Sequence, residues 1–499
     1  MKHIGLVPLD SRPCNTTFIE HLCQTANAKL ISFPKELLGR LFKGASIHKI
    51  DNWILANYME LDYLILSSDA LVFGGLVQSR SGVYEAKRLD DIKTILQIMK
   101  LNKPSLQIYV FDTIMRTSIS TTDKETAKYW KMMNQFSFHQ GRYLHTKEEE
   151  SLQIYQDLEK AIPKHIFETY YHARKQKHQM NVFFVEAVKE KLVDYLILLQ
   201  EDSSIYGVQK QEQAILHELI ESYHLSQMVR IYNGTDEGAA TLLSRALLYK
   251  EEIQPKLFVL VPKPNILKQV MAFEDHPFEH NVKEMVEASH MVLTADAKDA
   301  DMILAIYVEE LDNEMHLEED QEIYDPNKNR SYQYFTTQIN YYHTIGKPVA
   351  LADIFMPNGG SFPLLQAINY KKLKGYSAWN TASNTLGTLL GQIASYLIGK
   401  ANNPNVEYDN DLFTLERILD DSIFQTIVRK EINQHANQRN INIYALGDAG
   451  KQYEVLLQKR MKELTASITS IDYDVVFPWN RTFEAQVILK PKKGQQIYE

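Results

Sequence analysis

The chain has 499 residues, 44% of them hydrophobic and 23% charged, which supports a packed globular protein of about three domains and excludes bulk disorder. A net charge of −9 argues against a dedicated nucleic-acid binder, whose footprint is basic. The two cysteines, Cys14 and Cys23, would lie on opposite faces if the chain between them is helical, so a disulfide framework and a cysteine-based zinc site are excluded.

The opening residues are expected to run into a strand at 3–10 rather than to form a leader, and no apolar run approaches the roughly 18 residues of a membrane helix. A cytoplasmic location without membrane contact is expected. After 3–10, apolar strands are expected at 28–34, 62–69, 106–112, 194–202, 228–237, 256–262, 301–307, 348–354 and 374–380. Between them run amphipathic helices. One begins near Glu85, with Ala86, Leu89, Ile92, Ile95, Leu96 and Met99 at helical steps.

Near-continuous apolar strands alternating with helices indicate an α/β protein with a largely parallel sheet. The expected organisation is a barrel-like (β/α) catalytic unit over 1–390 and a helical C-terminal region over 391–499 whose final strand pair, 472–489, returns to the site. The alternative is two Rossmann-like α/β domains split near 255, because about ten strands exceed an eight-stranded barrel. Residues 117–190 break the rhythm. They are rich in Lys, Glu, aromatics and His, and read as a helical insertion, either a solvated structural block or a lid at the active end.

The common signatures are missing. There is no P-loop, no G-x-G-x-x-G after a strand, no G-x-S-x-G and no H-E-x-x-H, so no cofactor is expected. What recurs is acid at the strand ends: Asp10, Asp69, Asp112, the pair Glu201-Asp202, the pair Asp236-Glu237, and Asp353. A single strand-end Asp is usually a helix cap. Paired carboxylates repel and shift one another's pKa, and two pairs on consecutive strands point to acid/base chemistry. Arg12, Arg80 and Arg116 accompany them. They either hold a substrate in a fixed fork or tie the rim of the sheet together. Late in the chain, Asn358, Trp379, Asn380, Trp479, Asn480 and Arg481 offer flat apolar faces and amide groups suited to a sugar ring, with core packing as the ordinary competitor.

The segments VPLDSRPCN (7–15), LSSDALVFGGLVQSR (66–80), FDTIMR (111–116), LLQEDSSIYG (198–207), YNGTDEGAATLLSRAL (232–247), LADIFMPNGG (351–360), GYSAWNTASNTLGTLL (375–390) and FPWNRTFE (477–484) resemble a bacterial domain-of-unknown-function family, number 4127. They span nearly the whole chain. The resemblance implies a role in carbohydrate metabolism.

Together these readings predict a glycoside hydrolase acting on a small sugar conjugate, with an amino sugar as one candidate. Glu201, Asp202, Asp236 and Glu237 are the expected catalytic carboxyls. Asp10, Arg12, Asp69, Arg116, Asn233, Asn358, Trp379, Asn380, Trp479 and Arg481 are the expected substrate contacts. Two other readings stay open: a Mg²⁺- or Mn²⁺-dependent hydrolase or lyase using Asp10, Asp69, Glu201, Asp202 and Asp236 as oxygen ligands, and a non-catalytic sugar-binding protein. Whether the chain forms a homo-oligomer is also open.

Overall fold

A computed structural model describes residues 2–121, 124–310 and 330–499. The first six strands are β1 (His3–Val7), β2 (Lys29–Ser32), β3 (Tyr63–Ser67), β4 (Gln107–Ile114), β5 (Tyr195–Gln200) and β6 (Val229–Asn233). They form one parallel sheet in the order β2-β1-β3-β4-β5-β6. Every residue of β3 and β5 is buried, as expected for strands covered by helices on both faces. Five more strands, β7 (Lys256–Leu260), β8 (Val292–Leu293), β9 (Met302–Tyr307), β10 (Val349–Asp353) and β11 (Gly375–Ser377), form a second parallel sheet in the order β8-β7-β9-β10-β11. The last two, β12 (Asp472–Val476) and β13 (Gln486–Lys490), pair antiparallel.

All ten expected strands exist, but they do not close into a barrel among the described residues. In a barrel each new strand is added on the same side of the last. Here the chain leaves β2, crosses back over β1 and continues on its other side, which leaves open edges at β2 and β6. The second sheet repeats this reversal, with β8 and β9 flanking β7. The arrangement is therefore two open, doubly wound sheets, each with a topological switch point beside its first strand. The two-residue β8 is too short to leave a periodic signal.

The chain divides into two units. One comprises Met1–Thr17, Ala28–Leu243 and Phe273–His276; the other comprises Phe18–Asn27, Ser244–Ala272 and Pro277–Glu499. The division falls inside the helix Gly238–Tyr249, whereas the sequence reading keeps 1–390 together. In the second unit Leu415, Phe424, Leu457 and Tyr473 share one apolar core with Ile303, Leu351 and Tyr376 of the sheet. The C-terminal helices are thus the cover of the second sheet. In the first unit Val7, Leu64, Leu66, Ile108, Val110, Leu196 and Ile231 of the sheet pack with Ile92, Leu96 and Met99 of the helix Arg88–Asn102 and with Phe184 and Val188. The insertion is helical, with helices Lys124–Thr146, Glu149–Ala161 and Lys164–Lys189. Both cysteines are buried, and among the described residues neither forms a disulfide. Among the described residues no helix is long and apolar enough to cross a membrane.

Candidate active site

The chemistry of the first unit gathers at the C-terminal edge of its sheet, where strands hand over to loops. Asp10 and Arg12 follow β1, and Asp236 follows β6. The Arg12 guanidinium joins the two loops. Its Nε and Nη2 donate to Asp10 at 2.8–3.0 Å, and Nη1 and Nη2 donate to Asp236 at 2.9 and 2.5 Å. All three residues are buried. Burial disfavours the charged guanidinium, but Asp10 and Asp236 outweigh it and raise the Arg12 pKa well above its ordinary value. Asn15 Nδ2 adds a further hydrogen bond to Asp10 at 3.0 Å.

Beneath this bridge lies a buried network. Asp69 is ion-paired with Lys177, and Thr113 Oγ1 donates to Asp69 at 2.8 Å. Asp112 accepts from Ser68 Oγ at 2.6 Å and from Asn181 Nδ2 at 2.8 Å. Burial pushes its carboxyl up to about 6, with Lys177 pulling the other way. Lys177 and Asn181 stand on the helix Lys164–Lys189. On the same face Tyr170 Oη and Arg174 Nη1 donate to the Arg116 carbonyl at 3.0 and 2.9 Å. The insertion therefore sits at the site end of the sheet.

Around the rim, Arg80 donates to Glu201 Oε2 at 2.7 and 2.9 Å, and Arg116 is ion-paired with Asp202. Burial alone would raise the Glu201 pKa, but Arg80, Arg116 and Lys177 hold it below its ordinary value. Burial and neighbouring Arg80 bring the Arg116 guanidinium down to about 9. Asp236 and Glu201 also lie within electrostatic reach of Arg116, so the two acidic pairs face one basic group.

Glu237 behaves differently. Its Oε2 accepts from the Thr235 amide at 2.8 Å, and among the described residues no side-chain cation is paired with it. Burial pushes it up to about 8; backbone amides counter this, while Asp236 and Glu274 add to it. The side chain lies against Gly234, which has φ +153° and where a Cβ would overlap Glu237 Oε1. Gly234→Ala must therefore displace the carboxyl. The variant should lose about 1–3 kcal/mol of stability from backbone strain and the displaced carboxyl, checked by chemical denaturation, and an unchanged midpoint would contradict it.

Asn233, expected to touch substrate, ties two loops together. Its Nδ2 donates to Ser203 Oγ at 3.2 Å and its Oδ1 accepts from the Asp275 amide at 3.4 Å.

The five late candidates belong to the second unit. The Asn358 amide donates to the Asn380 carbonyl at 2.9 Å, and both residues have positive φ, 57° and 64°. Trp379 is buried edge-on against Phe483, with centroids 5.8 Å apart. Arg481 lies 4.8 Å over the Trp479 ring, 5.2 Å over Phe483, and pairs with Glu484 at 2.8 Å. Trp379 and Arg481 thus meet on one phenyl ring, but the guanidinium is engaged by Glu484. Since Glu484 is only 3% exposed, Arg481→Ala leaves a buried acceptor unpaired. It should cost about 1.5–3 kcal/mol. Chemical denaturation checks this; a loss below about 1 kcal/mol would mark an ordinary surface pair.

The family described as Protein of unknown function (DUF4127) matches residues 4–488. The chain belongs to this family. The match starts within β1 and ends within β13, so family membership covers both units, as the dispersed motifs imply. The family's description names no activity. No curated protein and no solved structure matches the chain.

For this member of the family, the carboxylates of the metal reading are otherwise engaged. Arg12 holds Asp10 and Asp236, Lys177 holds Asp69, Arg80 holds Glu201 and Arg116 holds Asp202. Among the described residues no group of three or more His, Cys, Asp or Glu is arranged to hold a metal ion. Sequence reasoning missed Lys177 and Asn181. Their signal was present: Tyr170, Arg174, Lys177 and Asn181 recur at helical spacing and form one buried polar stripe.

Proposed function

We propose that the first unit hydrolyses the glycosidic bond of a small sugar conjugate by carboxyl acid/base chemistry. The observation that carries this reading is the opposite bias of two buried carboxyls at one sheet edge. Glu237 is held protonated up to about pH 8, while Glu201 is held as a carboxylate by Arg80 and Arg116. Environments that push two titratable groups apart assign acid and base roles.

In this mechanism Glu237 donates its proton to the leaving oxygen as the bond to the anomeric carbon breaks. The Glu201 carboxylate stabilises the positive charge that develops there, and water completes the hydrolysis. Among the described residues Glu201 Oε1 and Glu237 Oε1 are buried without a hydrogen-bond partner, which suits a substrate rich in hydroxyl or amino groups. Arg12, Asp10 and Arg116 frame the site.

The test is a panel of alkyl and nitrophenyl glycosides, including amino sugars, with and without EDTA. Turnover that survives EDTA and is lost in Glu237→Gln supports the reading. Turnover abolished by EDTA favours a metal-dependent hydrolase. Sugar binding with no turnover favours a binding protein.

A further inference from the structure

The helix Lys124–Thr146 lies with one face against the loops at the site end of the first sheet. Trp130, Asn134, Ser137 and Gly141 recur at i, i+4, i+7 and i+11 and so share that face. Thr117 Oγ1 donates to Asn134 Oδ1 at 2.8 Å, and the Val208 amide donates to Ser137 Oγ at 3.2 Å. A Cβ on Gly141 would lie within hard contact of the Gly207 nitrogen, so helix and loop meet backbone to backbone. These partners belong to the loops after β4 and β5. The Thr117 amide in turn donates to the Asp202 carbonyl at 3.0 Å.

Trp130 stands at the start of this face. Ser118 Oγ, two residues after Arg116, donates to the Trp130 carbonyl at 2.6 Å. The half-buried indole meets the half-buried ring of Phe273, with centroids 6.4 Å apart and planes at 54°. Phe273 has φ +66°, where a bulky side chain is rarely found. The Ser203 amide donates to the Phe273 carbonyl at 2.9 Å, which ties this turn to the loop after β5. Each ring is thus tethered within two residues of the Arg116–Asp202 ion pair, and the Asp202 side chain is 28% exposed. Of the four tryptophans, Trp53 packs on the core of the first sheet, and Trp379 and Trp479 belong to the second unit, which leaves Trp130 at the site end.

We propose that Trp130 is the platform for the sugar. The apolar C–H face of the ring lies on the indole, Phe273 bounds it, and Asp202 and Arg116 bond its hydroxyls. The substrate class is then a pyranose with a C–H-rich face, not an open-chain polyol. The proposal rests on the hydrolase reading for its role in turnover, but sugar binding tests it without a reaction.

The probes are the methyl glycosides of glucose, galactose, glucosamine and N-acetylglucosamine, with glucitol as the open-chain control. Saturation-transfer NMR on the full chain should show at least one glycoside bound through its ring C–H protons, and glucitol not bound. Trp130→Ala should weaken that binding about tenfold, and Trp130→Phe, which keeps a flat face, should restore most of it. Should Trp130→Ala not fold, N-bromosuccinimide oxidation of the unmodified chain, mapped by mass spectrometry, reads the indole directly. The bound glycoside should slow oxidation of Trp130 severalfold and leave Trp53 unchanged. Binding unaffected by Trp130→Ala, oxidation of Trp130 unaffected by the glycoside, glucitol bound as well as the glycosides, or no glycoside bound overturns the platform. On any glycoside that is turned over, Trp130→Ala should raise KM about tenfold with kcat little changed. Sugar binding that depends on Trp130, with no turnover, removes the hydrolase reading and keeps the platform. Turnover with KM untouched by Trp130→Ala removes the platform and keeps the hydrolase reading.

Discussion

Glu237→Gln is expected to lower turnover of an alkyl glycoside by roughly 10²–10⁴-fold, the range of a lost general acid. A nitrophenyl glycoside should suffer less, because its leaving group departs without a proton. Turnover by the unmodified chain should fall as pH rises through about 8, where Glu237 gives up its proton. The same group makes a stability prediction of definite sign. Its folded-state pKa is raised from 4.5 to about 8 by burial, with backbone amides opposing and Asp236 and Glu274 adding. The stabilisation linked to its neutral form is fully present below 4.5 and is lost as pH rises from there to about 8. Urea denaturation of the unmodified chain should lose this contribution across that window, and Glu237→Gln should not. Parallel stability curves for the two proteins would show that the carboxyl ionises normally.

Lys177→Met is the substitution expected to hurt the fold most. Lys177 and Asp69 are buried to 1% and 0% exposure, and the lysine also donates to Thr113 Oγ1 at 2.5 Å. Removing the cation strands a buried carboxylate, at a cost of about 3–5 kcal/mol. Replacing both partners, in Lys177→Met with Asp69→Leu, should recover most of that loss and leave about 1 kcal/mol for the Thr113 hydroxyl. Denaturation midpoints of the single and double variants decide the matter. Equal losses in both would mean that the two charges do not depend on each other.

The strands were legible because each is an apolar run closed by polar residues, such as DYLILSSD or DYLILLQED. Their order was not. The crossing from β2 back over β1 is set by the path of the connecting chain, and local periodicity is the same in a barrel and in an open sheet. The strand-end carboxylates were visible as types, but their partners were not. Arg12 and Asp236 are 224 residues apart, and no local pattern joins them. The charged insertion helix Lys164–Lys189 read as either a solvated block or a lid because its many Lys, Glu and His mask its buried face; Met180, Phe184 and Val188 join the sheet core, and Lys177 and Asn181 are buried only by docking on Asp69 and Asp112. The Trp-Asn motifs were read as sugar-binding groups, and in the structure Arg481 is turned toward Glu484 and Trp379 toward Phe483.

The most direct test is the pH dependence of kcat for an alkyl glycoside, measured on the unmodified chain and on Glu237→Gln. A descending limb near pH 8 is expected for the unmodified chain, and a residual, flattened profile for the variant. Equal kcat values and identical profiles for the two proteins would contradict it.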